Sequence, residues 1–411
     1  MSQRRTLVLS HTAQEGGAEL ALVRLARVLR ERGEDVRVLL FATGPLEKTL
    51  AAAGVPADVR PLDPGLVSAS RADIARGGRM LSQLAAAAGF AVKLRTAILQ
   101  GNADLIVANT LKAAVFAMVA APISGRAWVW HLHDRLAPDY LPRVLVTLMR
   151  AIALFGPRTI VVNSQATLAT IPRGARSRVV LAYPGLTDEA FVDATPDSPR
   201  VVGIVGRISP TKGQRVFVEA AGELARTHPD VRFRVIGAAL FGESDYDASV
   251  RDAAERWGLG DRVEFTGWVS DVSAQIARLT VLVHASPVPE PFGQVVVEAL
   301  AAGVPVVAAQ SGGMVEILDA SEPATQTPQC GWRSTDTGVL VRPGDSVALA
   351  AAISAVLDDP AAARTRSCAA RAVVRDRFTI AGTADAVSGA WGAVRRQRPS
   401  QRMRRRRETA N

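Results

Sequence analysis

The sequence predicts an α/β protein made of two doubly wound parallel sheets, one after the other along the chain. Three observations predict it. Short apolar runs alternate with stretches of helical periodicity, the alternation stops over Tyr183–Arg200, and it then restarts. A chain of 411 residues is long enough for two such domains.

In the first half, Leu7–Ser10 is an apolar run followed by Gly16 and Gly17. Leu22, Leu25 and Leu29 then recur at helical spacing up to Gly33, a residue suited to end a helix. Val36–Phe41 reads as the next buried strand. A strand, a glycine turn, a helix and a strand form the unit from which parallel sheets are built. Asp104–Ala108, Ala127–Leu132 and Thr159–Val162 read as further strands. Tyr183–Arg200 has no period and contains Pro184, Gly185, Pro196 and Pro199, so it reads as a connection between domains. Beyond it, Val201–Val205, Val231–Ile236, Arg262–Phe265, Val281–Ala285, Val304–Ala308 and Gly338–Val341 read as strands. Two arrays of this kind predict two Rossmann-like domains facing a cleft, with ligands held beyond the carboxyl ends of the strands.

Composition narrows the function. With 48% hydrophobic and 21% charged residues, the chain can bury a core and is not of a disordered type. Its two cysteines, Cys330 and Cys368, exclude a disulfide scaffold and form no metal-ligand pattern. Met1–Arg5 is basic and Thr6–Ser10 is too short for a secretory leader. No run reaches the ~18 uncharged apolar residues of a spanning helix, so a cytoplasmic location is expected. The net charge is +10, and Arg395, Arg396, Arg398, Arg402 and Arg404–Arg407 gather at the end. Such a tail is either solvated or drawn to a polyanion, with an anionic membrane favoured over nucleic acid. Arg76–Leu99 is a second basic, amphipathic stretch, and Leu141–Arg158 a third that is expected to pack in the fold.

Five motifs carry candidate chemistry. In Glu290-Pro-Phe-Gly-Gln-Val-Val-Val-Glu298, Pro291 forces Glu290 into an extended loop and Gly293 opens a helix. Glu290 then precedes a helix N-terminus, where the amides of Phe292, Gly293 and Gln294 suit anionic or polar groups, and Glu298 lies buried within the helix. A plain helix-capping carboxylate and a solvated glutamate fit the same residues. In Gly206-Arg-Ile-Ser-Pro-Thr-Lys-Gly213, Arg207 and Lys212 bracket a tight turn, and a guanidinium with an ammonium suits a diphosphate. The spacing of a Walker loop is absent. Gly16-Gly17-Ala18-Glu19 permits close approach to a phosphate or sugar, although packing explains the glycines nearly as well. In Trp130-His-Leu-His-Asp134, His131 and His133 are expected to face opposite ways, one to the cleft and one to the protein, with joint chelation of a metal unfavourable. Asp245-Tyr-Asp247 reads as a solvated helix start rather than a metal site.

Together these motifs resemble the large family of retaining GT-B glycosyltransferases of the family four type, which includes bacterial mannosyl- and glucosyltransferases of the cell envelope. Phe265-Thr-Gly-Trp-Val269, Ala302-Gly-Val-Pro-Val-Val307 and Gly312-Gly-Met-Val-Glu316 add to the likeness. The resemblance implies a sugar moved from a nucleotide-diphosphate donor to a sugar or lipid-linked acceptor, without cofactor or metal. It implies a first domain over 1–185 for the acceptor, a linker over 186–200 and a donor domain over 201–378. A helix over 379–397 would cross back to the first domain and leave a tail over 398–411. In those roles Arg207 and Lys212 neutralise the diphosphate, Glu298 holds the ribose, and Glu290 with Phe292, Gly293 and Gln294 holds the sugar. His133, Gly16 and Gly17 complete the site, and Val269 lies at the base. Rival readings are a GT-B-like epimerase or phosphorylase, or a polyanion-binding protein without catalysis. Asp319–Thr337 departs from the family as a long, polar, aperiodic loop.

Overall fold

The computed structural model describes residues 4–62, 80–240, 242–319 and 331–396. The basic tail beyond Gln397 lies outside them, as do Arg76, Arg79 and Cys330. The chain divides into two compact units, Met1–Gly185 with Ile380–Asn411, and Leu186–Thr379.

In the first unit, β1 (Arg5–Ser10), β2 (Asp35–Leu40), β3 (Ala57–Val59), β4 (Leu105–Ala108), β5 (Ala127–Leu132), β6 (Thr159–Val162) and β7 (Val179–Leu181) form one parallel sheet. Its order is β3-β2-β1-β4-β5-β6-β7. The strands read as continuous apolar runs because helices cover both faces. Leu7 and Leu9 point into one core and Val8 into the other, the alternation a strand imposes. One face is covered by α3 (Met80–Gln100), α4 (Leu111–Ile123) and α5 (Arg143–Phe155), with Phe41, Phe90 and Phe116 packed edge to face between them and the sheet. The other is covered by α1 (Gly17–Glu31) and α2 (Leu46–Ala52). A short α6 (Gln165–Leu168) follows β6 and packs Leu168 against the first core.

The final helix of the chain, Ile380–Arg396, also belongs to this unit. Trp391 is buried in the α1 face of the core, and its indole N–H donates to His131 Nε2 at 3.2 Å. The two rings stack with centroids 5.6 Å apart. Arg395, at the start of the basic run and inside the helix expected over 379–397, lies in its last turn and pairs with Glu34 at 3.1 Å.

The second unit repeats the plan with β8 (Val201–Val205), β9 (Arg232–Ile236), β10 (Val263–Gly267), β11 (Val281–His284), β12 (Val306–Ala309), β13 (Trp332–Ser334) and β14 (Val339–Val341). The order is β10-β9-β8-β11-β12-β14-β13. Its helices are α7 (Gln214–Thr227), α8 (Ser244–Arg256), α9 (Val272–Ala277), α10 (Gln294–Ala301), α11 (Gly313–Leu318), α12 (Ser346–Asp358) and α13 (Pro360–Arg377), which makes Ile380–Arg396 α14. Residues 186–200, expected as a linker, group with this unit: the amides of Thr195 and Asp197 donate to the carbonyls of Ala277 and Arg278. The expectation of an aperiodic loop over Asp319–Thr337 is corrected at its end. Trp332–Ser334 is β13, paired antiparallel to β14, while residues 320–330 lie outside the described residues. A three-residue edge strand is too short to show a period of two.

Both sheets reverse their order at one place, between β1 and β4 and between β8 and β11. The loops leaving such a pair diverge to opposite faces of the sheet and open a crevice at the strand ends. Among the described residues no single helix is long and apolar enough to cross a membrane.

Candidate functional site

In the second unit the loops after β8 and β11 meet at this reversal. Lys212 Nζ lies 2.5 Å from Glu290 Oε1. The contact depends on close backbone approach. Gly213 has φ +77°, and a Cβ there would lie 2.0 Å from the Ala285 carbonyl oxygen, so no side chain fits. The buried Ser286 hydroxyl ties the two loops, 2.5 Å from the Thr211 carbonyl oxygen. Gln214, the first residue of α7, braces the turn by donating to the Arg207 carbonyl at 2.9 Å.

Glu290 is held from a third direction. His284 ends β11, is buried, and places Nε2 3.7 Å from Glu290 Oε2. Neither ring nitrogen of His284 has a hydrogen-bond partner among the described residues. Burial pushes the Glu290 carboxyl up, but the Lys212 ammonium and His284 outweigh it and hold the group well below the usual carboxylate range. The Glu290 carbonyl accepts from the Gly313 amide at 2.9 Å, and Gly312, at φ +59°, leaves no room for a Cβ against that carbonyl. Glu290 is therefore fixed at both main chain and side chain.

The other expected residues distribute as follows. Arg207 is half-buried on the loop that carries Lys212. Gly293 caps α10 with φ +107°, and Gln294 is its first residue. Phe292 is buried and packs edge to face on Phe378, so its ring belongs to the core. Glu298, expected to be buried, is only half-buried on α10, because its neighbours Val297 and Ala299 take the core-facing positions. Val269 is half-buried just past β10, beside an exposed Trp268. Asp245 and Asp247 lie in the first turn of α8, and Asp247 pairs with Arg251 at 3.0 Å. Among the described residues no group of three or more His, Cys, Asp or Glu is placed to hold a metal.

In the first unit, Gly16 is the N-cap of α1 and Gly17 its first residue. His133 follows β5 and its Nε2 lies 3.0 Å from Asn109 Oδ1, at the end of β4. Burial holds the His133 ring down at about 4, so it is neutral at pH 7. His131 and His133 were expected to face opposite ways, but residues two apart along a strand share a face, and the two rings lie on one side with centroids 6.5 Å apart. His131 stacks on Trp391, and burial together with His133 holds it down at about 3. Glu19, in the first turn of α1, is buried, which pushes its carboxyl up to about 7; backbone amides oppose the shift and Asp134 adds to it.

The sequence reading gave no role to His284, Asn109 or Glu19. A usable signal existed for two of them. Each is a polar residue at the carboxyl end of a wholly apolar strand, Val281–His284 and Leu105–Ala108, the position where ligands gather in a parallel sheet.

Two family models match the chain: glycosyl transferases group 1 over residues 187–373, and glycosyltransferase family 4 over residues 15–190. The chain belongs to these glycosyltransferases and has their GT-B fold. It is similar to a 2-deoxystreptamine glucosyltransferase of Streptomyces kanamyceticus, 28% identical over 88% of this chain and 95% of the relative. It is also similar to a D-inositol 3-phosphate glycosyltransferase of Stackebrandtia nassauensis, 26% identical over 95% of this chain and 90% of the relative. Among solved structures, Anabaena HepE in complex with UDP-glucose is 28% identical, with a TM-score of 0.79 over 95% of this chain and 99% of that one.

Proposed function

We propose that this glycosyltransferase transfers its sugar with retention of anomeric configuration, from a nucleotide-diphosphate sugar and without a metal ion. The observation that carries the reading is the Lys212–Glu290 pair at the strand-order reversal. An ammonium has three donors, so Lys212 can hold Glu290 and still offer a charge to a diphosphate. Arg207, on the same loop, adds a second cation. Charge builds on the leaving diphosphate in the transition state, and fixed cations aimed at it stabilise that state more than the ground state. Glu290 orients the sugar together with the amides of Phe292, Gly293 and Gln294. Glu298 takes the ribose, and the main chain at Val269 the base. In the first unit Gly16, Gly17 and the neutral His133 serve the transferred group and the acceptor.

The state of Glu290 accords with retention, which needs no protein base at this position. A general base works best with a pKa near the working pH, and Glu290 is held far below it. A donor phosphate oxygen then takes the acceptor proton. The acceptor class proposed is a cell-envelope glycan or lipid-linked sugar on the cytoplasmic side. That HepE is solved with UDP-glucose supports a UDP-sugar as the first donor to try.

The test is product analysis by proton NMR with UDP-, GDP- and ADP-sugars, with and without excess EDTA. Transfer with the donor's anomeric configuration, unaffected by EDTA, is expected. An inverted product, a donor epimerised without transfer, or activity lost in EDTA and restored by magnesium would each overturn the reading. His284 supplies a finer check. His284→Phe keeps the ring's bulk and removes the nitrogen facing Glu290. Turnover should fall roughly tenfold, because Glu290 loses one of the two polar groups that face its carboxylate, with the melting temperature little changed. Unaltered turnover would remove His284 from the site.

A further inference from the structure

The helix layer of the first unit has an outer surface that the transferase reading does not use. Ten large hydrophobic side chains are exposed among the described residues, and six of them lie on α3, α4 and α5. They are Val92, Val119, Ile123, Val144, Leu148 and Phe155, with Phe155 78% exposed. The opposite stripe of each helix is already spent on the core: Leu94 and Ile98 of α3, Phe116 of α4, Val146 and Met149 of α5. On α5 the exposed residues 144, 148, 151 and 155 recur at helical spacing, so this helix is apolar on two faces. The helices on the other side of the same sheet, α1, α2 and α14, expose no large hydrophobic side chain among the described residues.

The charge on the layer has one sign. The sequences of α3, α4 and α5 contain no Asp or Glu, but do contain Lys93, Arg95, Lys112, Arg143 and Arg150. Lys93, Arg95, Arg143 and Arg150 are exposed. The helices opposite carry Glu31, Glu47 and Asp385, so the absence of carboxylates is a property of this layer.

We propose that the outer surface of α3, α4 and α5 seats the protein on an anionic lipid bilayer. Apolar side chains ringed by cations match an interface in which acyl chains lie beneath anionic headgroups. A second copy of the same face is a poor occupant, because two-fold pairing would set arginine against arginine with no carboxylate to answer it. A soluble polyanion would use the cations and leave the six apolar side chains in water. The inference accords with a lipid-linked acceptor, but it rests on the surface alone and stands or falls apart from the mechanism above.

The experiment is flotation of the full chain with vesicles of pure phosphatidylcholine and with vesicles containing phosphatidylglycerol, at low and moderate salt. The variant Leu148→Glu/Phe155→Glu and a chain truncated after Arg396 are run beside it. Both glutamates replace exposed residues, so the fold should stand, and circular dichroism with turnover of a soluble donor checks this. The full chain should float with the anionic vesicles, less well as salt rises. The double variant should bind about tenfold more weakly with unchanged turnover, since it removes two inserting side chains and places two anions against the headgroups. The truncated chain should still float. A full chain that ignores anionic vesicles overturns the proposal, and so does a double variant that floats like the parent. Flotation lost only on truncation assigns binding to the tail and overturns it. A dimer by light scattering that the two glutamates dissolve would give the face to a second copy and overturn it too. Normal flotation of a chain without transferase activity would instead refute the function proposed above.

Discussion

Glu290→Gln is expected to lower turnover by about 10²–10³, the scale of losing one preorganised polar contact to a transition state. Lys212→Met should do the same. The two should not add. Lys212 Nζ and Glu290 Oε1 are 2.5 Å apart, so either substitution disables the same pair. The structure also dictates how the fold must be controlled. Glu290 is largely enclosed, with 15% of its side chain exposed, and removing Lys212 alone strands a carboxylate there. Lys212→Met is therefore expected to melt lower than the parent, while Glu290→Gln leaves an ammonium that is 30% exposed and can still find water. The double variant removes both charges and should recover most of the lost stability without recovering activity. Measuring kcat and the melting temperature of the three variants decides the matter. Near-normal kcat in either single variant would end the assignment.

The sequence carried the architecture because buried parallel strands leave a strong mark. Ala127–Leu132, Thr159–Val162 and Val201–Val205 coincide with β5, β6 and β8 at both ends. The short strands Ala57–Val59, Val179–Leu181 and Trp332–Ser334 escaped, since three residues at a sheet edge carry little pattern. At the site, the Glu290 segment and the Arg207–Lys212 turn stood out as motifs, but only the family resemblance, and no local pattern, joined them in one site. Their joining follows from strand order: β8 and β11 are neighbours although the chain between them is long. Contacts of that range, such as Lys212 with Glu290 or Trp391 with His131, belong to tertiary packing and leave no local periodicity. His284 carried a local signal, a polar residue at the carboxyl end of an apolar strand, but its partner Glu290 is set by tertiary packing.

Trp391→Ala is expected to be the most damaging substitution for stability, costing the first unit about 3–5 kcal/mol. Trp391 is 1% exposed and joins α14 to β5 through both its stack on His131 and its hydrogen bond to Nε2. Alanine would leave a cavity, and His131 would lose the donor to its ring nitrogen. Trp391→Phe keeps most of the packing and loses the bond, so a smaller cost of about 1–2 kcal/mol is expected. The same contact gives stability a pH dependence. An exposed histidine titrates near 6.5, whereas burial, with His133 adding to it, holds native His131 down at about 3. Between those values the unfolded chain binds a proton that the native chain refuses. Stability is therefore complete above pH 6.5 and falls on acidification towards pH 3, by up to about 1.4 kcal/mol per pH unit for this one residue. His131→Gln should flatten the decline. Urea unfolding of the parent, Trp391→Ala, Trp391→Phe and His131→Gln at pH 7 and pH 5 reads all of this. If Trp391→Ala unfolds at the parent's midpoint, α14 is not held by this residue. If His131→Gln loses as much stability as the parent between the two pH values, the protonation penalty lies elsewhere.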